Sequence, residues 1–179
     1  EPILNLPNFA LKEDIEILTS IVEECNITVV VNNITVGDVA IINMTVPKDA
    51  TGNITVKVNN TVVVVGIVNG IAQAIIPYLK VGNYTVDVTY NGDGKYLSST
   101  NATKLTVNKV SSEIIVVDHG NGTVVVIVPG NATGQVIISV NGTNYTVNVA
   151  GGKGSINVDG LLSGTYDINV TYVGDDQYL

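Results

Sequence analysis

Arginine is absent from this chain, whose only cations are eight lysines against sixteen acidic residues, for a net charge of −8. Recognition of nucleic acid needs clustered cations and draws heavily on the arginine fork, so that class is excluded. The acidic balance also fits a solvated surface better than one drawn to anionic lipid. Tryptophan is missing too, and Phe9 is the one phenylalanine. A carbohydrate-binding face of planar aromatics is therefore hard to assemble, since the tyrosines fall where folding explains them better. Cys25 stands alone, so no intrachain disulfide can form; its simplest role is a small apolar residue in a strand. Secreted proteins usually carry paired cysteines, and their absence here fits either an intracellular protein or a surface protein from an anaerobic habitat.

Long apolar runs are lacking as well, despite a mean hydropathy of +0.36. The most apolar stretch, 61–77, is interrupted by Gly66, Asn69, Gly70 and Gln73. Its Asn69-Gly70 pair reads as a hairpin turn between two strands rather than part of a membrane span. No secretory signal pattern opens the chain, and Glu1-Pro2 reads as a processed or truncated start.

Catalytic machinery is equally hard to find. His119, the sole histidine, lies in Asp-His-Gly-Asn-Gly, a turn between strands, and no Ser or Cys sits in a nucleophile's context. The expectation is no enzyme and no cofactor. Asp93, Asp175 and Asp176 lie in matching loops, and Asp118 lies beside His119. Calcium takes six to eight oxygens, so one or two carboxylates per loop read instead as Asp-Gly turns bonded to their own backbone. Lys57, Lys104 and Glu113 are residue types that an isopeptide crosslink needs, but no pattern joins them.

What the chain does have is Val, Ile, Thr, Asn and Gly. The first three suit a pleated, half-buried surface, and the last two tolerate the positive φ of tight turns. That combination predicts an all-β chain. A repeat gives it order: Val46–Leu97 aligns with Val128–Leu179 at a constant offset of 82 residues, without a gap, with 20 of 52 positions identical. A solenoid unit runs ~20–50 residues, whereas a small β-sandwich takes ~100. The expected architecture is two tandem immunoglobulin-like β-sandwich domains, 23–109 and 110–179, after an N-terminal extended strand segment, 1–22. Strands are predicted near 113–118, 122–128, 135–140, 143–149, 153–158 and 165–172, with Asn141-Gly142 as a type I′ hairpin turn. In the last of these, Tyr166, Ile168, Val170 and Tyr172 alternate with polar residues, as Tyr84, Val86, Val88 and Tyr90 do in the first copy.

The pattern Leu-x-x-Gly-x-Tyr, with Gly82 and Tyr84 in one copy and Gly164 and Tyr166 in the other, resembles the tyrosine corner of immunoglobulin-like sandwiches. Asp93 and Tyr96, like Asp175 and Tyr178, fall in Gly-Asp-x-x-Tyr-Leu, where the aromatic pins a loop. Together with the preceding Ala-Thr-Gly, these motifs resemble bacterial Ig-like repeats of the Big_3 type. The Asn/Thr/Val-rich version is similar to the adhesin-like surface proteins of methanogenic archaea. That resemblance covers roughly 23–179 and implies a stalk or array of sandwiches outside the cell. It names no receptor.

Sequons of the form Asn-x-Thr occur at Asn26, Asn33, Asn43, Asn53, Asn59, Asn83, Asn101, Asn121, Asn131, Asn141, Asn144 and Asn169. An Asn- and Thr-rich chain produces some by composition alone, yet twelve is many. Asn131 and Asn141, in turns, are the best candidates for a glycan, which needs an exposed loop.

Residues 98–109 continue the first copy, and Ala102, Leu105 and Val107 suggest a final strand. The second copy stops at Leu179, the equivalent of Leu97. A donor strand from a neighbour, drawn from Ile3–Ile21 with Ile15, Ile17 and Ile21 as candidate inserted residues, would fill the vacancy and build a head-to-tail filament. The alternative is an excerpt of a longer array, with the strand supplied by the residues that follow. Expected partners are copies of the chain or neighbouring repeats, with cell-surface glycans or proteins as further candidates.

Overall fold

The computed structural model describes residues 22–179; the candidate donor residues Ile15, Ile17 and Ile21 lie outside them. Among the described residues every regular element is a strand. The first eight are β1 (Thr28–Val31), β2 (Ile34–Thr35), β3 (Ala40–Thr45), β4 (Asn53–Val58), β5 (Thr61–Gly66), β6 (Ile71–Ile76), β7 (Gly82–Tyr90) and β8 (Ser99–Asn108). Six more follow: β9 (Ile115–Asp118), β10 (Thr123–Ile127), β11 (Gln135–Val140), β12 (Thr143–Asn148), β13 (Lys153–Asn157) and β14 (Ile168–Tyr172).

The first set forms a three-stranded sheet, β1-β3-β6, and a five-stranded sheet, β2-β8-β7-β4-β5. The second set repeats the plan with β9-β10-β13 and β12-β11-β14. These are tandem immunoglobulin-like β-sandwiches. Alternation in the sequence explains the layering. In β3, Ala40, Ile42 and Met44 are buried while Ile41, Asn43 and Thr45 face water. Ile54, Val56 and Val58 of β4 and Val86, Val88 and Tyr90 of β7 supply the opposing inner face. In the second set Val124, Val126, Val136, Ile138, Val140 and Tyr172 belong to one buried cluster. Complete burial of such a side chain contributes ~1.5–3 kcal/mol, so these inward rows drive the fold. Asn141 and Gly142 both take positive φ, 49° and 82°, as a type I′ turn between β11 and β12 requires.

Compactness divides the chain into two units. One holds Ala40–Ile76 and Tyr84–Leu105 with the described residues up to Asn32; the other holds Asn33–Val39, Pro77–Asn83 and Thr106–Leu179. The division differs from the boundary expected at 109/110. Three stretches of the first repeat, 33–39, 77–83 and 106–109, group apart from the rest of it. Hydrogen bonds tie them to one another: Thr106 N–H donates to Asn33 Oδ1, its hydroxyl to Asn83 Oδ1, and Val36 N–H to the Asn108 carbonyl.

The Asn69-Gly70 hairpin turn is present, with Val68 and Ile71 exchanging both backbone hydrogen bonds (2.9 and 3.0 Å), and the strands on either side of it, β5 and β6, belong to different sheets. The final strand expected within 98–109 is β8; its inward side runs through Leu105 and Val107, with Thr103 half-buried before them and Ala102 exposed. The period of two forces this, because 102 and 105 cannot share a face. One expectation is corrected in detail: β14 starts at Ile168, not at 165.

Candidate functional site: the open edge of the second sandwich

One carboxylate organises the upper loops of each repeat. Asp93 Oδ1 accepts the N–H groups of Lys95 (2.8 Å) and Tyr96 (2.7 Å), while Oδ2 accepts the N–H (2.7 Å) and hydroxyl (2.8 Å) of Thr51. Asp175 does the same with Gln177, Tyr178 and Thr133. The repeated Ala-Thr-Gly and Gly-Asp-x-x-Tyr motifs are thus the two halves of one clamp. The Thr51 N–H, then those of Tyr96 and Lys95, hold the Asp93 carboxyl well below the usual carboxylate range. The Thr133 N–H does so first for Asp175, against the opposing effect of burial. Tyr96 and Tyr178 close the loops by donating their hydroxyls to Asp49 Oδ1 (2.9 Å) and Asn131 Oδ1 (2.6 Å). Where the first repeat pairs Lys95 with Asp49 at 2.6 Å, the second pairs Asn131 Nδ2 with Gln177 at 3.2 Å, a neutral version of the same contact.

Tyr166 donates its hydroxyl to the Leu162 carbonyl at 2.9 Å, four residues upstream, which is the bond of a tyrosine corner. Its counterpart Tyr84 lies in β7, which Gly82 opens, and Gly164 sits in the loop before β14. These residues are structural.

Beside that corner the second sandwich differs from the first. β7 lies between β4 and β8, whereas β14 pairs with β11 alone among the described residues. Where β8 buries Leu105 and Val107 completely, a cleft of about 640 Å³ opens, lined by Val124, Val140, Val158, Leu161, Tyr166 and Ile168. The consequence appears in the inner rows. Val86, Val88, Ala74 and Ile76 are 0–1% exposed, but their equivalents Ile168, Val170, Ile156 and Val158 are only half-buried. An edge with unpaired backbone groups next to half-covered apolar side chains is a template for an added strand.

All twelve sequon asparagines are exposed. Their amides are used differently. Asn33, Asn43, Asn53, Asn83 and Asn121 accept through Oδ1, from Thr106, Gln73, Asn91, Thr106 and Thr123 in turn. In contrast, Asn101 donates Nδ2 to the Ile27 carbonyl (2.8 Å) and Asn131 donates it to Gln177. Of the two turn sites favoured from sequence, Asn141 stands on the open β11–β12 turn and Asn131 is engaged in the Tyr178 contact.

His119 is exposed on the β9–β10 turn, and Asp118 accepts from Gly120 N–H. Lys57 faces Asp87 across β4 and β7, on the water side. Cys25 is buried; desolvation first and the Asp93 charge second push its thiol up. Sequence reading missed Thr51 and Thr133 as partners of the aspartates, although their recurrence in Ala-Thr-Gly was the available signal. It also passed over Tyr78, which is 93% exposed with φ of 60°.

No family model matches the chain, and no curated protein matches it by sequence. Solved structures do. Fibronectin(III)-like modules of Clostridium thermocellum CbhA match at 15% identity and a TM-score of 0.40, over 86% of this chain and 88% of that one. A two-domain fibronectin type III segment of chicken tenascin matches at 19% identity and 0.46, over 80% and 87%. The BSP domain of a biofilm-associated protein matches at 21% identity and 0.31, over 83% of this chain, which spans only 28% of that one.

Proposed function

We propose that this chain is a non-enzymatic structural module of an extracellular, glycosylated surface array, of the adhesin-like kind its repeats resemble. In this reading the open edge of the second sandwich receives a strand from residues 1–21 of a second copy, and the chains join head to tail. The observation that carries it is β14, which among the described residues has a neighbour on one side only, beside the 640 Å³ cleft, set against the β7–β8 pairing of the first repeat. Closing that edge over Ile156, Val158, Ile168 and Val170 recovers part of the ~1.5–3 kcal/mol that full burial of each contributes.

The path of the chain supports the same reading. Glu23 N–H donates to the Lys95 carbonyl and Leu97 N–H to the Glu23 carbonyl, at 2.8 and 2.9 Å. Val110 repeats both bonds with Gln177 and Leu179, at the same distances. The segment that runs into Val110 is β8, the strand that completes a sandwich. The segment that precedes Glu23 in the sequence is 1–22. Such an interface is heterologous and propagates without closing.

Electron microscopy of the native protein, with and without residues 1–21, tests the reading. Filaments from the full chain and their loss on removal of 1–21 are expected. Filaments that persist without 1–21 overturn strand exchange. A native protein whose residues beyond Leu179 fill the cleft is instead a spacer in a longer array.

A further inference from the structure

The outward face of β1-β3-β6 carries four large apolar side chains where a sandwich normally meets water. Val30, Ile41, Ile71 and Ile75 on this face are each between 47% and 60% exposed. Register places them around Asn43. Ile41 lies opposite Ile75, Thr45 opposite Ile71, and Asn43 is flanked by Val30 on one side and Gln73 on the other. The outer face of the other sheet of this repeat is mixed too: Thr55 lies between Thr89 and exposed Val64, and Lys57 between Asp87 and exposed Val62. Apolar side chains grouped on a wet face mark a surface that something covers.

Asn43 stands at the centre of the patch, on the middle strand, and is the asparagine of Asn43-Met44-Thr45. Gln73 Nε2 donates to its Oδ1 at 2.9 Å. That bond fixes the amide and leaves Nδ2, the nitrogen that N-glycosylation uses, without an acceptor among the described residues. Asn101 is the opposite case, since its Nδ2 donates to the Ile27 carbonyl and its Oδ1 accepts Ala102 N–H. A glycan on that nitrogen has to be accommodated beside a bond that the fold uses.

We propose that Asn43 is an N-glycosylation site whose glycan lies over Val30, Ile41, Ile71 and Ile75 and keeps this face from associating. The step forms a bond between Asn43 Nδ2 and the anomeric carbon of a lipid-phosphate-linked oligosaccharide. An Nδ2 proton is lost, and the lipid phosphate leaves with the electron pair of the broken C–O bond. The C–H surfaces of the first sugars meet the apolar side chains, while their hydroxyls stay in water. This rests on the extracellular placement proposed above and is independent of strand exchange.

Glycopeptide mass spectrometry of the native protein reads the site directly. The peptide containing Asn43 is expected to carry the glycan mass, and the peptide containing Asn101 is expected to be bare. In the native host, Thr45→Ala removes the added mass while keeping the Asn43–Gln73 pair, and Thr45→Ser restores it. Enzymatic or chemical deglycosylation of the wild-type protein increases binding of a hydrophobic dye, and Thr45→Ala without deglycosylation gives the same increase. A bare Asn43 in a protein glycosylated elsewhere overturns the site and leaves the extracellular reading intact; a protein with no glycan at any sequon overturns both. Occupancy of Asn101 equal to that of Asn43 overturns the inference as well, since amide geometry then selects nothing. Unchanged dye binding after deglycosylation overturns the covering role.

Discussion

Thr51 and Asp93 are 42 residues apart in sequence, yet both the N–H and the hydroxyl of the threonine donate to the same aspartate oxygen. Thr133 and Asp175 repeat the arrangement at the same separation. Each pair ties the loop between β3 and β4, or between β10 and β11, to the loop that leaves β7 or β14. Because the donors favour the charged carboxylate, both groups titrate below their ordinary range.

Stability should therefore fall in acid. A carboxyl whose folded-state pKa is depressed contributes fully above its unfolded value of about 4, and the contribution is lost as pH falls through the folded value. Thermal unfolding followed by circular dichroism should show a constant melting temperature from neutral pH to about 5 and a decline below about 4. Asp93→Asn and Asp175→Asn should lower the neutral-pH plateau and flatten the acid decline. An acid decline of wild-type size in the double variant would count against the clamp.

The paired tyrosines behave differently at the other end of the scale. Burial, followed by the neighbouring Asp93 or Asp175 carboxylate, pushes Tyr90 and Tyr172 to about 12. With raised values, their contribution is complete below about 10 and is lost as pH rises through about 12. Their hydroxyls are not equivalent, however. Tyr172 Oη donates to the Thr133 carbonyl at 2.5 Å, whereas Tyr90 Oη, though near Asp93, is buried without a hydrogen bond among the described residues. Tyr172→Phe should destabilise its sandwich by about 1 kcal/mol, and Tyr90→Phe should be neutral or stabilising. Urea denaturation of the two variants side by side reads the difference.

Leu105 is fully buried in β8, a strand without a counterpart among the described residues of the second repeat. Leu105→Ala should cost about 2–5 kcal/mol, the range for emptying a leucine site in a core. The same experiment should loosen the first sandwich towards the state of the second, with Val86 and Val88 losing protection from hydrogen exchange. A loss below about 0.5 kcal/mol, typical of a surface change, would mean that β8 is not part of the core.

Two equivalent glycines separate strain from crowding. Gly52 and Gly134 both take positive φ, 86° and 84°. A Cβ on Gly134 meets the Gly174 carbonyl oxygen at 2.6 Å, but one on Gly52 lies 3.4 Å from that of Gly92. Both alanine variants bear the left-handed penalty of ~1–2 kcal/mol. Gly134→Ala should lose clearly more stability than Gly52→Ala, because backbone must move as well. Equal losses in chemical denaturation would show that the loops relax alike.

Sequence alone determined the class of fold, the repeat and most strand positions. The alternation of Val, Ile and Thr with polar residues is a local property, and a period of two already says which side chains go inward. Sequence also marked Asp93, Asp175 and Tyr178 as loop residues through their recurrence. Tertiary structure alone decided their partners, because Thr51 reaches Asp93 only once the sheets have packed. It decided, too, that β5 and β6, on either side of the Asn69-Gly70 hairpin turn, join different sheets. The sequons divided in the same way. Their pattern lies within three residues, but whether Nδ2 is free at Asn43 or held at Asn101 depends on Gln73 and Ile27, which lie 30 and 74 residues away. Short-range chemistry is written in the chain, and which distant group meets it is set by packing.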